Sequence, residues 1–534
     1  MANTALHFPN DPVLVKLLGS ANRVSSSHVI IKDFVGFEKT YSELLSDVFK
    51  TRDQLKSLIP ASNFDERGLL REESVYVTAL TRTGYEYVVA FFAVRALGGA
   101  YVPLDPRAVV ERQAVVVSNA KANCVLFDRG CAVELERLRA YVDKTEGKSL
   151  ITLPVTFDSP PISVTDVSID EALYLDPNGP GFVCMTSGTT GYSKGVVIKR
   201  TTLTYHPVNL ASGILEEKGG TAINYNESHW LGGMKNTVET IALGKKVFAL
   251  ECPASAKDVL EIFMHNQITY FIFNPALLRG MKDILLGHEE LTEEKREKFS
   301  VHFKWLDFFF CIGGLVDQPT VNFWEAVVGL PLQNRYGASE LADVGSVGKI
   351  APGIKVKLSE GTYGRLLIKS PNRFLGYLGN EEATRAVFDE EGYYKTGDIA
   401  ELKDGEILLH GRERDDYIVF GNSRISTLKV EHSLLRLPYI AAACVVARPP
   451  GGDKITLARI RADLEGDLDL AMRPTVLRIL EPDEELPDTA TGKPIKRQVI
   501  EDFFYDGDCG RDFVSVDNPP SRVEFCGLPA LGTA

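Results

Sequence analysis

Hydrophobic positions along this chain switch repeatedly between a spacing of two and a spacing of three to four, as when strands alternate with helices in a layered α/β protein. Thr40-Tyr41-Ser42-Glu43 has the form of a capping box and predicts a helix running to about residue 58. Residues 74–80 alternate as a strand, 86–96 carry helical periodicity, and 98–106 read as a turn and an extended segment. A helix at 108–120 and a strand at 123–128 follow. The alternation resumes with a strand at 246–250, helix 256–266, strand 270–273, helix 275–286 and strand 308–312. Residues 364–369 and 405–410 read as hairpin strands, and the charged stretch 289–298 as a solvated helix face. Near 411–416 the character changes to a small α/β unit, with a helix at 430–436 and strands at 441–447 and 456–462. We therefore expect a large domain over 1–411, a small one over 412–502 and a loosely held tail over 503–534.

Length agrees with this division, because 534 residues exceed what one hydrophobic core usually serves. The net charge of −13 argues against nucleic acid or an anionic membrane as the main partner, since both require a basic surface. The longest apolar stretch, 87–104, is broken by Arg95, Gly98, Gly99 and Pro103. It reads as a buried helix leading into a strand, not a membrane span. The 8 cysteines include no C-x-x-C pair, and most lie in apolar runs, as expected of reduced, buried thiols. With no signal-peptide pattern at Met1 and no targeting tripeptide at the end, the expected location is cytoplasmic.

The most specific chemistry lies at 186–195, Thr-Ser-Gly-Thr-Thr-Gly-Tyr-Ser-Lys-Gly, between two short apolar runs. Glycines let backbone N–H groups approach an anion, hydroxyls donate hydrogen bonds and the lysine adds charge. A strand–loop–strand of this composition reads as a polyphosphate cradle. It is not a Walker A loop, which needs G-x-x-x-x-G-K and a following helix.

This string resembles the phosphate loop of the adenylate-forming superfamily, T-S-G-T-T-G-x-P-K-G, with Ser193 at the usual Pro. Acyl- and aryl-CoA synthetases and peptide-synthetase adenylation domains belong to it. The resemblance implies layered sheets plus a small barrel in a large N-terminal α/β body, and a small mobile C-terminal α/β domain. It assigns Thr186, Ser187, Gly188, Thr189, Thr190, Gly191 and Lys194 to the ATP phosphates. Thr40-Tyr-Ser-Glu-Leu44 and 99–106 resemble two earlier motifs.

Partner motifs follow in order. Tyr336-Gly337-Ala338-Ser339-Glu340 resembles Y-G-x-T-E, which implies Tyr336 on adenine and Glu340 on Mg²⁺. Gly313-Gly314 resembles the turn beside the adenine. Thr396-Gly397-Asp398 matches T-G-D and implies a ribose contact, although an Asp beside a Gly is most often an exposed turn cap. Gly411-Arg412, then Asp415-Asp416, resembles the hinge motif with one extra residue, so the hinge is Arg414 or Asp415; Asp415 gives the better register. Arg412 is implied as a nucleotide ligand. Leu486-Pro-Asp-Thr-Ala-Thr-Gly-Lys493 resembles P-x-T-x-S/T-G-K, in which the lysine bridges the α-phosphate and the substrate carboxylate.

The implied reaction is attack of a carboxylate on ATP, then transfer of the acyl group to a thiol. His229 stands where amino-acid-selecting domains usually carry Asp, as in acyl- and aryl-CoA synthetases. Trp230, Met234, Gly314, Ala338 and Leu341 are expected to line an apolar acid pocket, and Lys235 to meet a second carboxylate if the substrate is a diacid. The acceptor is coenzyme A, or a phosphopantetheine carrier acting in trans, because the tail is shorter than a carrier domain. A non-catalytic nucleotide- or acyl-binding relative is the alternative of a different class. The short small domain and irregular hinge bear on the thioester step.

Overall fold

Helix Tyr85–Ala96 is buried on every side. That explains its nearly uniform apolar sequence, since a helix covered all round needs no polar face. It packs beside a seven-stranded sheet of order Gly376–Tyr377, Gly195–Lys199, Pro180–Met185, Ala100–Leu104, Tyr76–Leu80, Cys124–Phe127 and Ile151–Pro154. Its last five strands run parallel, and Gly195–Lys199 returns antiparallel along Pro180–Met185. The capping box at Thr40 is formed, with the Glu43 carboxylate accepting from the Thr40 N–H at 2.9 Å, and it opens helix Tyr41–Leu58.

The computed structural model describes residues 6–186, 194–204, 220–287, 289–314, 316–341, 343–346, 348–413, 416–420, 423–435, 443–445, 476–478, 487, 495–496, 498–499 and 513–515. A second sheet orders Thr221–Asn224, Lys246–Ala249, Val29–Asp33 and Glu38–Thr40. A third orders Ile272–Phe273, Phe310–Ile312, Gln333–Ala338 and Asp343–Ser346. Behind the third lies an aromatic core built from Phe263, Phe273, Phe303 and Trp324, with the Trp324 indole N–H donating to the Leu278 carbonyl at 2.8 Å. The last large sheet is antiparallel, ordered Gly348–Lys349, Glu406–Arg412, Tyr394–Lys403, Tyr363–Lys369 and Lys355–Glu360.

Several expected elements differ in extent. The strand expected at 270–273 shrinks to Ile272–Phe273, with Tyr270 making only an isolated bridge to Ala222. The charged helix starts at Glu293, where the Thr292 hydroxyl accepts from the Lys295 N–H at 3.3 Å. Both expected hairpin strands form: Tyr363–Lys369 pairs antiparallel with the preceding Lys355–Glu360, and Glu406–Arg412 with the preceding Tyr394–Lys403. Strand Glu406–Arg412 runs one residue past the expected domain boundary. Beyond it, Tyr417–Phe420 pairs with Ser423–Ser426, and helix Thr427–Leu435 begins earlier than expected. Residues 443–445 are described without strand, and the strand expected at 456–462 lies outside the described residues. Within the expected loose tail, Phe513–Ser515 pairs with Val476–Arg478.

No helix among the described residues is long and apolar enough to cross a membrane. Cys124, Cys131, Cys184 and Cys311 are free and buried, and burial pushes the Cys124 and Cys311 thiols up to about 12. Such thiols are poor nucleophiles.

The body also contains a buried charge cluster. Asp11 caps helix Pro12–Ala21 and pairs with Arg95 at 2.6 Å and Arg200 at 3.3 Å. Arg200 also donates to the Gly98 carbonyl at 2.6 Å. Burial and the nearby Arg95 pull Arg200 down to about 10. Asp11→Asn should therefore cost about 3–5 kcal/mol, because two buried guanidiniums lose the anion that pairs with both. Thermal and urea unfolding would read this as a lowered main transition; an unchanged midpoint would refute the account.

Candidate active site

Strands Pro180–Met185 and Gly195–Lys199 bring the two ends of the glycine-rich loop together. The Thr186 N–H donates to the Lys194 carbonyl at 3.0 Å, and the Lys194 N–H donates to Thr186 Oγ1 at 3.0 Å. Ser187, Gly188, Thr189, Thr190 and Gly191 lie outside the described residues. Lys194 Nζ sits 4.7 Å from the centre of the Tyr377 ring. The Tyr377 hydroxyl donates to Glu340 Oε1 at 2.8 Å. Burial raises the Tyr377 phenol, with Glu340 adding to the effect, so it stays a protonated donor. A cation, an aromatic ring and a carboxylate thus line up beside the loop base.

Glu340 belongs to a short turn, Ser339–Leu341, at the end of strand Gln333–Ala338. The Phe374 N–H donates to its carbonyl at 2.8 Å, and the Ser339 side chain meets the Cys184 thiol. Upstream in the same strand, the Tyr336 hydroxyl donates to Asp398 Oδ2. Arg412 Nε lies 3.0 Å from Asp398 Oδ1. Asp398 and Arg412 are cross-strand partners, which accounts for their pairing. Asp398 is therefore not the exposed turn cap its sequence context favoured; it is buried in the strand Tyr394–Lys403. Gly313 adopts φ +97°, and a Cβ there would meet nothing within 4 Å, so the backbone borders open space. The Gly314 carbonyl accepts from Asn334 Nδ2 at 3.0 Å, and Gly337 pairs with Val344.

The Met185 N–H donates to the His229 carbonyl at 2.8 Å, which seats the 228–235 stretch against the strand leading into the loop. His229 is buried, its Nε2 lies 3.8 Å from Asp105 Oδ2, and its Nδ1 has no partner among the described residues. Burial lowers the ring to about 4, against the pull of Asp105. Trp230 leans on His229, and its buried Nε1 is likewise without a partner among the described residues. Met234 departs from expectation. Its side chain is fully buried in the core, with the Tyr87 hydroxyl on its sulfur at 2.6 Å, so it does not line an open pocket. The neighbouring Gly233 packs so tightly on the Glu227 carbonyl that a Cβ there would lie 1.9 Å from its oxygen. Leu341 is also a core residue, whereas Ala338 is half-buried. Lys235 opens a π-helical turn, Lys235–Glu239, within electrostatic range of Cys184.

Residues 39–378 match the family profile of the AMP-binding enzymes. The chain belongs to the AMP-binding enzyme family. Among curated relatives, this AMP-binding enzyme is 28% identical to the acyl-CoA ligase oryP of Aspergillus oryzae, over 93% of each chain. It is 24% identical to the mitochondrial malonate–CoA ligase ACSF3 of Mus musculus, over 82% of this chain and 83% of that one. Its fold matches the anthranilate CoA ligase AuaEII in complex with anthranoyl-AMP, with a TM-score of 0.72 at 19% identity over 94% of this chain and 99% of that one. ATP-bound MatB from Rhodopseudomonas palustris superposes with a TM-score of 0.69 at 20% identity, over 92% and 99% of the two chains.

The AMP-binding enzyme also places residues at this site that the motifs did not single out. Tyr377 is one; its only sequence signal is an aromatic after glycine at the end of Phe374-Leu375-Gly376-Tyr377. Asp105, within the motif at 99–106, faces His229. Arg414, Asp415 and Lys493 lie outside the described residues. Among the described residues no cluster of three or more His, Cys, Asp or Glu could form a resident metal centre. A lone Glu340 instead fits Mg²⁺ that arrives on substrate phosphates, which needs only one or two protein carboxylates.

The His229 ring carries a pH signature. Folding holds it neutral down to about 4, while the unfolded chain protonates at the ordinary value of 6.5. The unfolded state therefore binds more protons in that window, and stability falls as the pH drops through it. His229→Gln should remove up to about 3 kcal/mol of that fall. Urea unfolding at a series of pH values would read it as a flatter curve below about pH 6.5; identical curves would refute it.

Proposed function

We propose that this AMP-binding enzyme is a carboxylic acid–thiol ligase that forms AMP. An acid carboxylate oxygen attacks the α-phosphorus of ATP, giving acyl-AMP and pyrophosphate. A thiol sulfur then attacks the acyl carbonyl, and AMP leaves. The observation that carries the reading is the convergence of Tyr336 and Arg412 on Asp398, beside the Lys194–Tyr377–Glu340 group. The CoA-ligase names of the relatives support coenzyme A as the acceptor.

In this reading Asp398 accepts the ribose hydroxyls and Tyr336 lies against adenine, with Gly313, Gly314 and Gly337 allowing close approach. Arg412 neutralises Asp398 and faces the nucleotide. Thr186, Ser187, Gly188, Thr189, Thr190, Gly191 and Lys194 hold the leaving pyrophosphate, and Glu340, positioned by Ser339, takes Mg²⁺. When bound, the ion supplies charge neutralisation on the phosphates. Lys493 provides the fixed cation between the α-phosphate and the acid, charge stabilisation that is worth most in a pre-organised site. His229, Trp230 and Ala338 border the acid. His229 Nδ1 and Trp230 Nε1, without partners among the described residues, are the groups best suited to meet it, because buried donors and acceptors require partners. The small unit after Arg412, turning at Arg414 or Asp415, carries Lys493 in and out between the two steps. A cytoplasmic setting agrees with the free buried thiols.

ATP–pyrophosphate exchange across fatty, aryl, di- and α-amino acids tests the reading, and Lys235 is the reason diacids belong in the panel. One acid class should support exchange, and Lys493→Ala should lower it by about 10²–10³. CoA should then discharge the acyl-AMP without a carrier protein; discharge only by a phosphopantetheine carrier would select the in-trans loading reaction. ATP binding without exchange on any acid would reject adenylation and leave a binding module.

A further inference from the structure

A lysine in the small unit is fully committed to protein partners. Lys496 Nζ lies 2.9 Å from Asp416 Oδ1, 3.0 Å from Glu431 Oε1 and 2.6 Å from Thr427 Oγ1. An ammonium has three hydrogens, and here three oxygens surround it. The side chain is only 14% exposed, and its two carboxylate partners are similarly buried. Burial works against the ammonium, but Glu431 and Asp416 outweigh it and raise Lys496 above its usual value. A lysine held in this way is not available to a phosphate.

Each partner has a second task. Asp416 Oδ2 accepts the Arg412 N–H at 2.8 Å, and the Asp416 N–H donates to the Arg412 carbonyl at 2.9 Å. The Thr427 N–H donates to the Asp416 carbonyl at 2.9 Å. Glu431 Oε1 also accepts the Val445 N–H at 2.7 Å. Lys496 is thus the node at which the end of strand Glu406–Arg412, the helix Thr427–Leu435 and residue 445 meet the C-terminal segment. On that segment, the Ile495 N–H donates to the Pro487 carbonyl at 2.8 Å and the Val499 N–H to the Ile495 carbonyl at 2.9 Å. The stretch bearing Lys493 therefore leaves from a point pinned at Pro487, Ile495 and Lys496.

We propose that Lys496 is a positioning residue for adenylation: through Asp416, Thr427 and Glu431 it sets where the Lys493-bearing stretch departs from the base of the hinge. This rests on the adenylation reading of Lys493. The Arg412 that offers its backbone to Asp416 also holds Asp398 with its side chain, at 3.0 Å. One run of polar contacts therefore joins Tyr336 to the anchor of Lys493.

The test uses the full chain carrying Lys496→Met or Lys496→Arg, each alone and combined with Lys493→Ala. Amide hydrogen exchange by mass spectrometry needs no acid. Lys496→Met should speed exchange of peptides within 485–500 about tenfold while peptides within 76–104 stay unchanged. In ATP–pyrophosphate exchange with the best acid of the panel, Lys496→Met should lower kcat about 10–100-fold with little change in KM for ATP. It should add nothing to Lys493→Ala, whereas Lys496→Arg should keep most activity and protection. Unchanged exchange at 485–500 in Lys496→Met overturns the proposal, and so does a loss that adds to that of Lys493→Ala. If Lys496→Met loosens the whole chain, Glu431→Gln, which weakens the same node, decides by the same two readouts: faster exchange at 485–500 supports the proposal and unchanged exchange overturns it. If no acid supports exchange in the unaltered enzyme, the adenylation reading fails, while the hydrogen-exchange result still judges the anchor.

Discussion

The buried carboxylate of Asp398 is the constraint on which the site depends. An anion withdrawn from water must be neutralised and hydrogen-bonded, or it costs several kcal/mol. Here the two partners come from different sheets. Arg412 stands across the ladder in the same antiparallel sheet, whereas Tyr336 reaches over from the sheet that contains Gln333–Ala338. Satisfying one charge therefore fixes two sheets relative to each other. The Tyr377 hydroxyl repeats the device on Glu340, tying the edge of the seven-stranded sheet to the turn after Ala338. The polar groups proposed to face the nucleotide are thus held by partners outside their own element, and such groups need little reorganisation when a ligand arrives.

A different logic governs the acid side. His229 is buried and Trp230 half-buried, yet each keeps a buried ring nitrogen with no partner among the described residues. They sit beside the strand that leads into the glycine-rich loop, whereas the deep carboxylate of Asp11 closes on Arg95 and Arg200. In the proposed reaction the acid completes the environment of His229 and Trp230. Lys496 is saturated by protein oxygens and serves as an anchor, whereas Lys493, outside the described residues, is the lysine that the proposed reaction uses.

The chain by itself determined most of the local structure. The capping box at Thr40, the largely apolar helix Tyr85–Ala96 and the parallel strands around it follow from periodicity and end signals, because these depend on near neighbours in sequence. The phosphate-loop composition and the order of the motifs were likewise legible, since close approach of backbone to phosphate demands glycine and hydroxyl residues within one short stretch. What only the tertiary structure decided were the partners. Nothing local to Asp398 announces a tyrosine 62 residues upstream, nor that Asp398 is buried rather than capping a turn. Met234 lies within a pocket motif yet turns into the core, where the Tyr87 hydroxyl meets its sulfur. Tyr377 and Lys496 belong to no motif that names them, and each acquires its role from residues far away in sequence. Periodicity reports which face of an element is buried; the group that buries against it is set by how the sheets stack, and that information is spread over the whole chain.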